Sequence, residues 1–338
     1  MSTKLSQNTF KLDSCPSIIG FASVVGKKEG EGPLAQYFDI INDDTTFGEK
    51  SWEKAESRLQ KDAVNTALGK SKLSTADIDL LFAGDLLNQC IGSSFGLREM
   101  NIPFYGLYGA CSTMAESLGM ASIFADNNLV NNAIAVTSSH FCSAERQFRF
   151  PLEYGGQRTP TAQWTVTGSG CAIVGKSAAA PYVKAVTVGK IQDLGVKDIN
   201  NMGAAMAPAA AYTIQQYLVD TNTQPSDYDL ILTGDLGLVG SSLLVDLLKR
   251  DNIDISSVHN DCGKLIFDIE AQDVHAGGSG CGCAGSVLCS YILNKIQNGE
   301  LKEVLFIATG ALMSPTSMQQ GESIPSIAHL VHISNGKW

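Results

Sequence analysis

This 338-residue chain lacks three features that would assign it to common functional classes. It has no run of basic residues and its net charge is −10, which argues against nucleic acid as a partner and against electrostatic docking on anionic lipid. It has no stretch of the roughly eighteen apolar residues that span a bilayer, and no secretory pattern at its start. We therefore expect no signal peptide, no transmembrane segment, and only peripheral association with any membrane.

The chain does contain nine cysteines, which are scattered along the sequence. Without a secretory signal, this number indicates reduced thiols rather than a disulfide framework. Cys281 and Cys283 form a single C-x-C pattern, and one such pair without a second is weak as a zinc signature. We therefore predict no metal site and no cofactor.

A repeat within the chain indicates that the half-chain is its structural unit. Residues 77–86 read DIDLLFAGDL and residues 227–236 read DYDLILTGDL, so six of the ten positions are identical. The repeat extends further along each half. Cys111 and Cys283 are each followed by a helical pattern and then by a buried strand. Such strands alternating with helices predict an α/β fold with mostly parallel mixed sheets. We expect two halves, residues 1–180 and 181–338, related by a pseudo-twofold axis.

The first half carries an insertion at residues 138–165 that the second half lacks. Its aromatic, arginine and turn residues are typical of a loop that covers a site or a partner. Arg146 and Arg149 either contact a bound anion there or form surface ion pairs with acidic neighbours. The next segment, TVTGSGCAIVG, predicts a strand with a tight glycine turn.

The stretch YGACSTMAE, residues 108–116, is the strongest candidate for chemistry or anion binding. Cys111 precedes a predicted helix in which Thr113 and Glu116 have the spacing of a capping box. At a helix N-terminus, free backbone N–H groups and the positive end of the dipole favour an anion or a thiolate. The alternative is a buried structural cysteine beside a cap, since free cysteine is among the most buried residue types.

Several segments resemble a known superfamily. The GACS cysteine ahead of a helix, the GSG segment at residues 168–170 and the duplicated halves resemble the thiolase superfamily, which includes the ketoacyl synthases. Over nearly the whole chain, KSWEKAE, DLLFAGDLLNQ, AERQFRFPLEYGGQ, AMAPAAA, AGGSGC and ATGALMSPT resemble the stage V sporulation protein AD family of spore-forming bacteria.

This resemblance implies a thiolase-like fold in α/β/α/β/α layers. It also implies that the chain binds dipicolinic acid (pyridine-2,6-dicarboxylate), free or with calcium, and is needed for its uptake into the developing spore. The implied partners are other stage V sporulation A membrane proteins, at the periphery of the spore inner (forespore) membrane. Because members of the superfamily are usually dimers through the first half, a homodimer is also considered.

The second half departs from the pattern that catalysis in this superfamily requires. Asp235 stands where a synthase has its histidine, the glycine loop 276–283 lacks the thiolase histidine, and residues 308–310 stand where a thiolase has its second cysteine. A nucleophile without its base and oxyanion donors loses most of its rate advantage. We predict a non-catalytic binding protein. The alternative is an acyl-transferring or condensing enzyme that uses Cys111.

Dipicolinate is a planar dianion, so its pocket needs hydrogen-bond donors or cations beside a flat apolar slot. The predicted ligand-binding residues come from a helix start, two strand ends, the insertion and the glycine loop: Cys111, Ser112, Thr113, Asp85, Ser138, Ser139, His140, Arg146, Gly278 and Ser279. Asp85 would repel a dianion, so it is expected to be a helix cap, a hydrogen-bond acceptor or a calcium bridge. A dianion beside Cys111 should raise the pKa of the thiol and keep it neutral.

Overall fold

A computed structural model describes residues 1–149 and 158–338. The strands are β1 (Thr3–Lys4), β2 (Thr9–Lys11), β3 (Ser17–Gly26), β4 (Ile40–Asn42), β5 (Leu80–Gly84), β6 (Phe104–Leu107), β7 (Asn132–Ser139), β8 (Trp164–Thr165), β9 (Gly168–Gly175), β10 (Tyr182–Thr187), β11 (Leu230–Thr233), β12 (His259–Asp261), β13 (Gly278–Ser279), β14 (Glu303–Ala311) and β15 (Ser326–Ser334). The helices are α1 (Lys27–Gly30), α2 (Trp52–Ser71), α3 (Ile91–Leu97), α4 (Thr113–Asp126), α5 (Phe141–Arg149), α6 (Met202–Thr221), α7 (Gly237–Arg250), α8 (Cys262–Leu265), α9 (Cys281–Val287), α10 (Leu293–Gln297) and α11 (Pro315–Gln319). Within the described ranges, no helix combines the length and the apolar character needed to cross a membrane.

The large sheet has the same strand order in both halves of the chain. The first half contributes β3-β9-β7-β5-β6 and the second contributes β10-β15-β14-β11-β12. In each half the second strand of this order is antiparallel to both neighbours, and the last three strands are mutually parallel. The halves meet where β10 pairs with β3 through Tyr182 and Ser17. The duplicated mixed α/β architecture predicted from the repeat is therefore confirmed.

Alternate residues of the buried strands face different layers of helices, as the twofold period of a strand requires. In β7, Ala135 belongs to a central core that includes α4, whereas Ile134 packs with α2 on the outside. In β14, Phe306 faces the same central core, whereas Leu305 packs with α6. Helices α4 and α9 thus form the middle layer and α2 and α6 the outer ones, which is the predicted α/β/α/β/α arrangement.

Two local predictions need correction. The glycine turn predicted at residues 168–170 is wrong, because these residues begin the strand β9. A Cβ at Gly170 would lie 2.0 Å from the carbonyl oxygen of Gly285, so glycine is needed there for α9 to approach the strand. The insertion begins with the helix α5 rather than with a loop, and residues 150–157 lie outside the described part of the chain.

Gly170→Ala tests this close approach. We expect the variant to lose roughly 1–3 kcal/mol or more of unfolding free energy, because its methyl group overlaps the backbone of α9. The measurement is urea denaturation. Gly69→Ala is the matched control: it lies in α2 with nothing within 4 Å of an added Cβ, so it should gain about 0.5–1 kcal/mol. Equal stability of the two variants would contradict the packing described here.

Candidate functional site

A cavity of about 370 Å³ opens between the two halves, which is within the size range of small-molecule sites. Its walls come from the segments that follow β5, β6 and β14, from α5, and from the start of α6. The lining residues are Leu86, Tyr108, Ala110, Cys111, Ala144, Glu145, Phe148, Gln163, Thr165, Ile199, Asn200, Met202, Met206, Ser279, Ala311, Leu312, Met313, Ser314 and Ser317. The cavity therefore lies at the carboxyl ends of parallel strands, where ligands gather in α/β sheets.

Cys111 reaches this cavity from a single 3-10 turn, Ala110–Ser112, which leads directly into α4. Ala110 has φ of +52°, a left-handed conformation that residues with a Cβ seldom adopt and that is frequent at functional sites. The capping box predicted for Thr113 and Glu116 is wrong. Ser112 is the residue before α4, and the Thr113 hydroxyl donates instead to the carbonyl of Ala110 at 2.7 Å, a local bond that competes with capping.

Asp235 lies against Cys111 at the floor of the cavity and is fully buried. Its carboxylate accepts hydrogen bonds from the backbone N–H of Gly280 at 2.8 Å, from the Thr309 hydroxyl at 3.1 Å and from the Ser279 hydroxyl at 3.3 Å. The Cys111 thiol lies close enough to this carboxylate that each group shifts the pKa of the other. The strands β11 and β14 and the glycine loop before α9 thus converge on one carboxylate from the second half and one thiol from the first.

Burial, with a smaller contribution from this contact, determines the protonation state of both groups. Burial raises the pKa of Asp235 to about 7, and the charge of Asp261 adds to the shift, whereas the hydrogen bonds from Gly280 and Cys111 oppose it. Burial also raises the pKa of the Cys111 thiol well above its usual value, and the charges of Asp235 and Cys281 raise it further. At neutral pH Cys111 is therefore a neutral thiol, even before any anionic ligand is bound.

Gln163 is a wall residue that the sequence did not reveal. It precedes β8, which pairs with β13. Its side-chain NH₂ donates to the backbone carbonyls of Asp235 at 2.8 Å and of Gly278 at 2.7 Å. These two acceptors fix the orientation of the amide. Its carbonyl oxygen is buried and has no hydrogen-bond partner among the residues described, so it is available to a donor.

Of the predicted ligand-binding residues, Cys111 and Ser279 line the cavity together. Gly278 lies next to it and offers its carbonyl to Gln163. Ser112 and Thr113 are buried beneath Cys111, and each hydroxyl donates to a backbone carbonyl of the preceding turn.

The serines and the histidine that end β7 are buried away from the cavity lining. The Ser138 hydroxyl donates to Glu56 at 3.2 Å, the Ser139 hydroxyl donates to the carbonyl of Val166 at 2.6 Å, and His140 Nε2 lies 2.7 Å from the carbonyl of Thr45. Burial lowers the pKa of His140, so its ring is neutral at pH 7. The ligand roles predicted for these three residues remain predictions.

Asp85 and Arg146 also lie outside the described lining. The Asp85 carboxylate accepts from the N–H of Leu87 at 2.9 Å and from the N–H and hydroxyl of Ser93 at 2.7 and 2.6 Å, so it organises the segment after β5. Arg146 donates from Nε to Glu53 at 3.0 Å and stacks over Trp52 at 5.1 Å. Across the two described ranges, no group of three or more His, Cys, Asp or Glu side chains could hold a metal ion.

Comparison with known proteins identifies the family. The model of the family described as Stage V sporulation protein AD matches residues 6–334. The chain belongs to this family. Stage V sporulation protein AD of Bacillus subtilis (strain 168) is 49% identical over 307 residues, which cover 91% of this chain and 90% of that protein.

Solved structures with a similar fold are ketosynthase-like enzymes. The 3-oxoacyl-[acyl-carrier-protein] synthase III of Aquifex aeolicus has a TM-score of 0.58 and 13% identity, with 94% of this chain and 99% of that chain covered. A variant of OleA from Xanthomonas campestris has a TM-score of 0.61 and 13% identity, with 97% and 98% covered. The likeness at this identity confirms the thiolase-like fold and says nothing further of activity.

Asp235→Asn tests the control of the thiol by the carboxylate. Loss of the negative charge should lower the pKa of Cys111, so more thiolate forms and Cys111 should react with iodoacetamide several-fold faster at pH 8.5. Peptide mass mapping separates Cys111 from the other cysteines. Asp85→Asn, at the equivalent position of the first half, should leave the rate unchanged, whereas an unchanged rate in Asp235→Asn would contradict the contact.

Proposed function

We propose that this chain binds dipicolinic acid, free or as its calcium chelate, in the cavity above Cys111 and serves its uptake into the developing spore without catalysis. The observation that carries the proposal is that, at the floor of the cavity, a neutral thiol lies against a buried carboxylate, at the position expected for the histidine of a synthase. The family supports a role in sporulation. The ligand itself is inferred from the family resemblance and from the chemistry of the site.

The walls of the cavity suit a flat aromatic dicarboxylate. Leu86, Phe148, Met206 and Met313 offer apolar contact on several sides, which is how pockets hold rings. Two helices, α4 and α6, begin at its border. The positive ends of their dipoles favour the negative charge of carboxylates. A ligand with one carboxylate on each side of a ring matches a cavity with two such borders.

The second candidate function is acyl transfer through Cys111, because the cavity and the cysteine have the positions expected of a ketosynthase site. Such chemistry needs a base that removes the thiol proton and donors for the oxyanion. Asp235 stands where a synthase is expected to have its histidine, and burial together with the charge of Asp235 raises the pKa of Cys111, so the thiolate is disfavoured. The arrangement favours binding over nucleophilic attack.

We also propose that the chain acts at the periphery of the forespore membrane with other stage V sporulation A membrane proteins, and that it forms a homodimer through β6. A difference between the two edge strands of the large sheet, β6 and β12, supports the dimer. In β6, Phe104 is 40% exposed and Tyr105 is 53% exposed, whereas the equivalent edge strand β12 is polar and largely covered. An exposed aromatic edge with unpaired backbone groups is suited to pairing with a second strand.

Tyr105→Lys tests the dimer, because a lysine on an edge strand opposes pairing. We expect the wild-type protein to sediment as a dimer at micromolar concentration and the variant as a monomer. Asn260→Lys, on the equivalent edge β12, is the matched control and should sediment as the wild type does. A monomeric wild-type protein would contradict this part of the proposal.

Calorimetric titration with dipicolinate tests the binding function. We expect saturable binding to the wild-type protein, weaker binding of isophthalate, which lacks the ring nitrogen, and at least about tenfold weaker dipicolinate binding to Met313→Trp, whose indole fills the cavity. Met120→Trp, on the exposed side of α4, is the matched control and should bind normally. Arg146→Ala in the same series tests the ligand role predicted for that arginine.

The enzyme alternative gives a different result. If the protein shows no heat with millimolar dipicolinate, and intact mass after incubation with acetyl-CoA shows an acyl adduct on Cys111, the binding function is wrong and acyl transfer replaces it. Binding without an adduct supports the proposal.

A further inference from the structure

We infer that Asp235 takes up a proton when the cavity binds a carboxylate ligand, so that this aspartate, through its charge, determines how strongly the site accepts anions. The inference rests on the proposed function, since it concerns the same cavity and the same ligand. It assigns to Asp235 a role in anion selection that is separate from its effect on the pKa of Cys111.

The position of Asp235 carries the inference. Its carboxylate lies directly behind two residues of the cavity lining, Cys111 and Ser279, and accepts a hydrogen bond from the Ser279 hydroxyl at 3.3 Å. It is fully buried, so water does not screen its charge from a ligand on the other side of the thiol. An ionised Asp235 therefore opposes an anion in the cavity, and a neutral Asp235 does not.

The groups that face Asp235 come from four elements. Cys111 precedes α4, Cys281 and Cys283 start α9, Cys262 starts α8, and Asp261 ends β12. Burial raises the pKa of each of these thiols well above its usual value, so they are neutral at pH 7. The charged neighbour is Asp261.

Asp261 is the better stabilised of the two carboxylates. It accepts from the N–H groups of Leu236 at 2.8 Å, of Gly237 at 2.9 Å and of Gly263 at 2.9 Å, and from the Thr233 hydroxyl at 2.6 Å. Such donors favour the charged form. When an anion enters the cavity, the proton is therefore expected on Asp235, which is also the nearer of the two to the lining.

The sign of the pH dependence follows from linkage. Burial holds the pKa of free Asp235 at about 7, and a bound anion raises it further because like charges repel. Below the free pKa the aspartate is already protonated, so affinity is highest and independent of pH. Above it, binding must draw a proton from solvent, and affinity falls by up to about tenfold per pH unit until the pKa of the complex is reached.

The test is calorimetric titration of the full chain with dipicolinate from pH 6 to 8.5, in pairs of buffers that differ in ionisation enthalpy. Ordinary carboxyl pKa values lie near 3–4, so the ligand is taken to keep its charge over this range. We expect net uptake of close to one proton per ligand at pH 8 and an affinity about tenfold lower there than at pH 6, which is the limit for a free pKa of about 7. This measurement on the wild-type protein needs no variant.

Asp235→Asn replaces the carboxylate with a neutral group of the same shape. We expect it to bind at pH 8 about as tightly as the wild type does at pH 6, with no proton uptake. Asp126→Asn is the matched control: Asp126 is a buried aspartate at the far end of α4 whose carboxylate accepts from the N–H and hydroxyl of Ser14. It should keep the wild-type pH profile.

The outcomes distinguish failure of the proposed binding function from failure of the inference about proton uptake. Absence of dipicolinate binding at every pH would overturn the proposed function. Binding without proton uptake by the wild type, or a pH profile that persists in Asp235→Asn, would overturn the inference and leave the binding function in place.

Discussion

The contact between the Asp235 carboxylate and the Cys111 thiol is the constraint on which the site depends. It joins the two halves of the chain at the floor of the cavity, and its geometry is fixed by donors from the glycine loop and from β14. A buried carboxylate without such donors would be costly. With them it is retained, and its charge adds to the burial that keeps the neighbouring cysteine protonated. The same contact therefore weakens a nucleophile and makes the floor sensitive to anions.

Much of the fold was predictable from the sequence because the repeat and the strand periodicity are local patterns. The match of residues 77–86 to 227–236 predicted the duplication, and the alternation of strands and helices predicted the mixed α/β fold. The start of α2 carries a local signal of the same kind, because the Ser51 side chain accepts a hydrogen bond from the N–H of Lys54 and caps the helix. The position of Cys111 at the start of α4 was likewise correct to within its 3-10 turn.

The features that the sequence prediction missed or got wrong depend on contacts between residues far apart in the chain. Gly170 looked like a turn residue, yet its conformation is extended and its lack of a side chain serves the backbone of α9, more than a hundred residues away. Gln163 enters the wall only because β8 pairs with β13, a contact with no local signature. The start of α6 likewise lines the cavity only because elements distant in the chain pack together there. Periodicity predicts elements, whereas the composition of a cavity depends on which elements meet.

The duplication has a further consequence for stoichiometry. Asp85 and Asp235 occupy equivalent positions. Asp85 accepts hydrogen bonds from the segment after its own strand, whereas Asp235 accepts one from the glycine loop at the cavity floor. Cys283, which the sequence repeat pairs with Cys111, lies inside α9 and is fully buried, whereas Cys111 precedes α4 and reaches the cavity. The two halves share an architecture but have divided its tasks, so under the proposed function this pair of positions provides one ligand site per chain, where an undifferentiated duplicate would provide two.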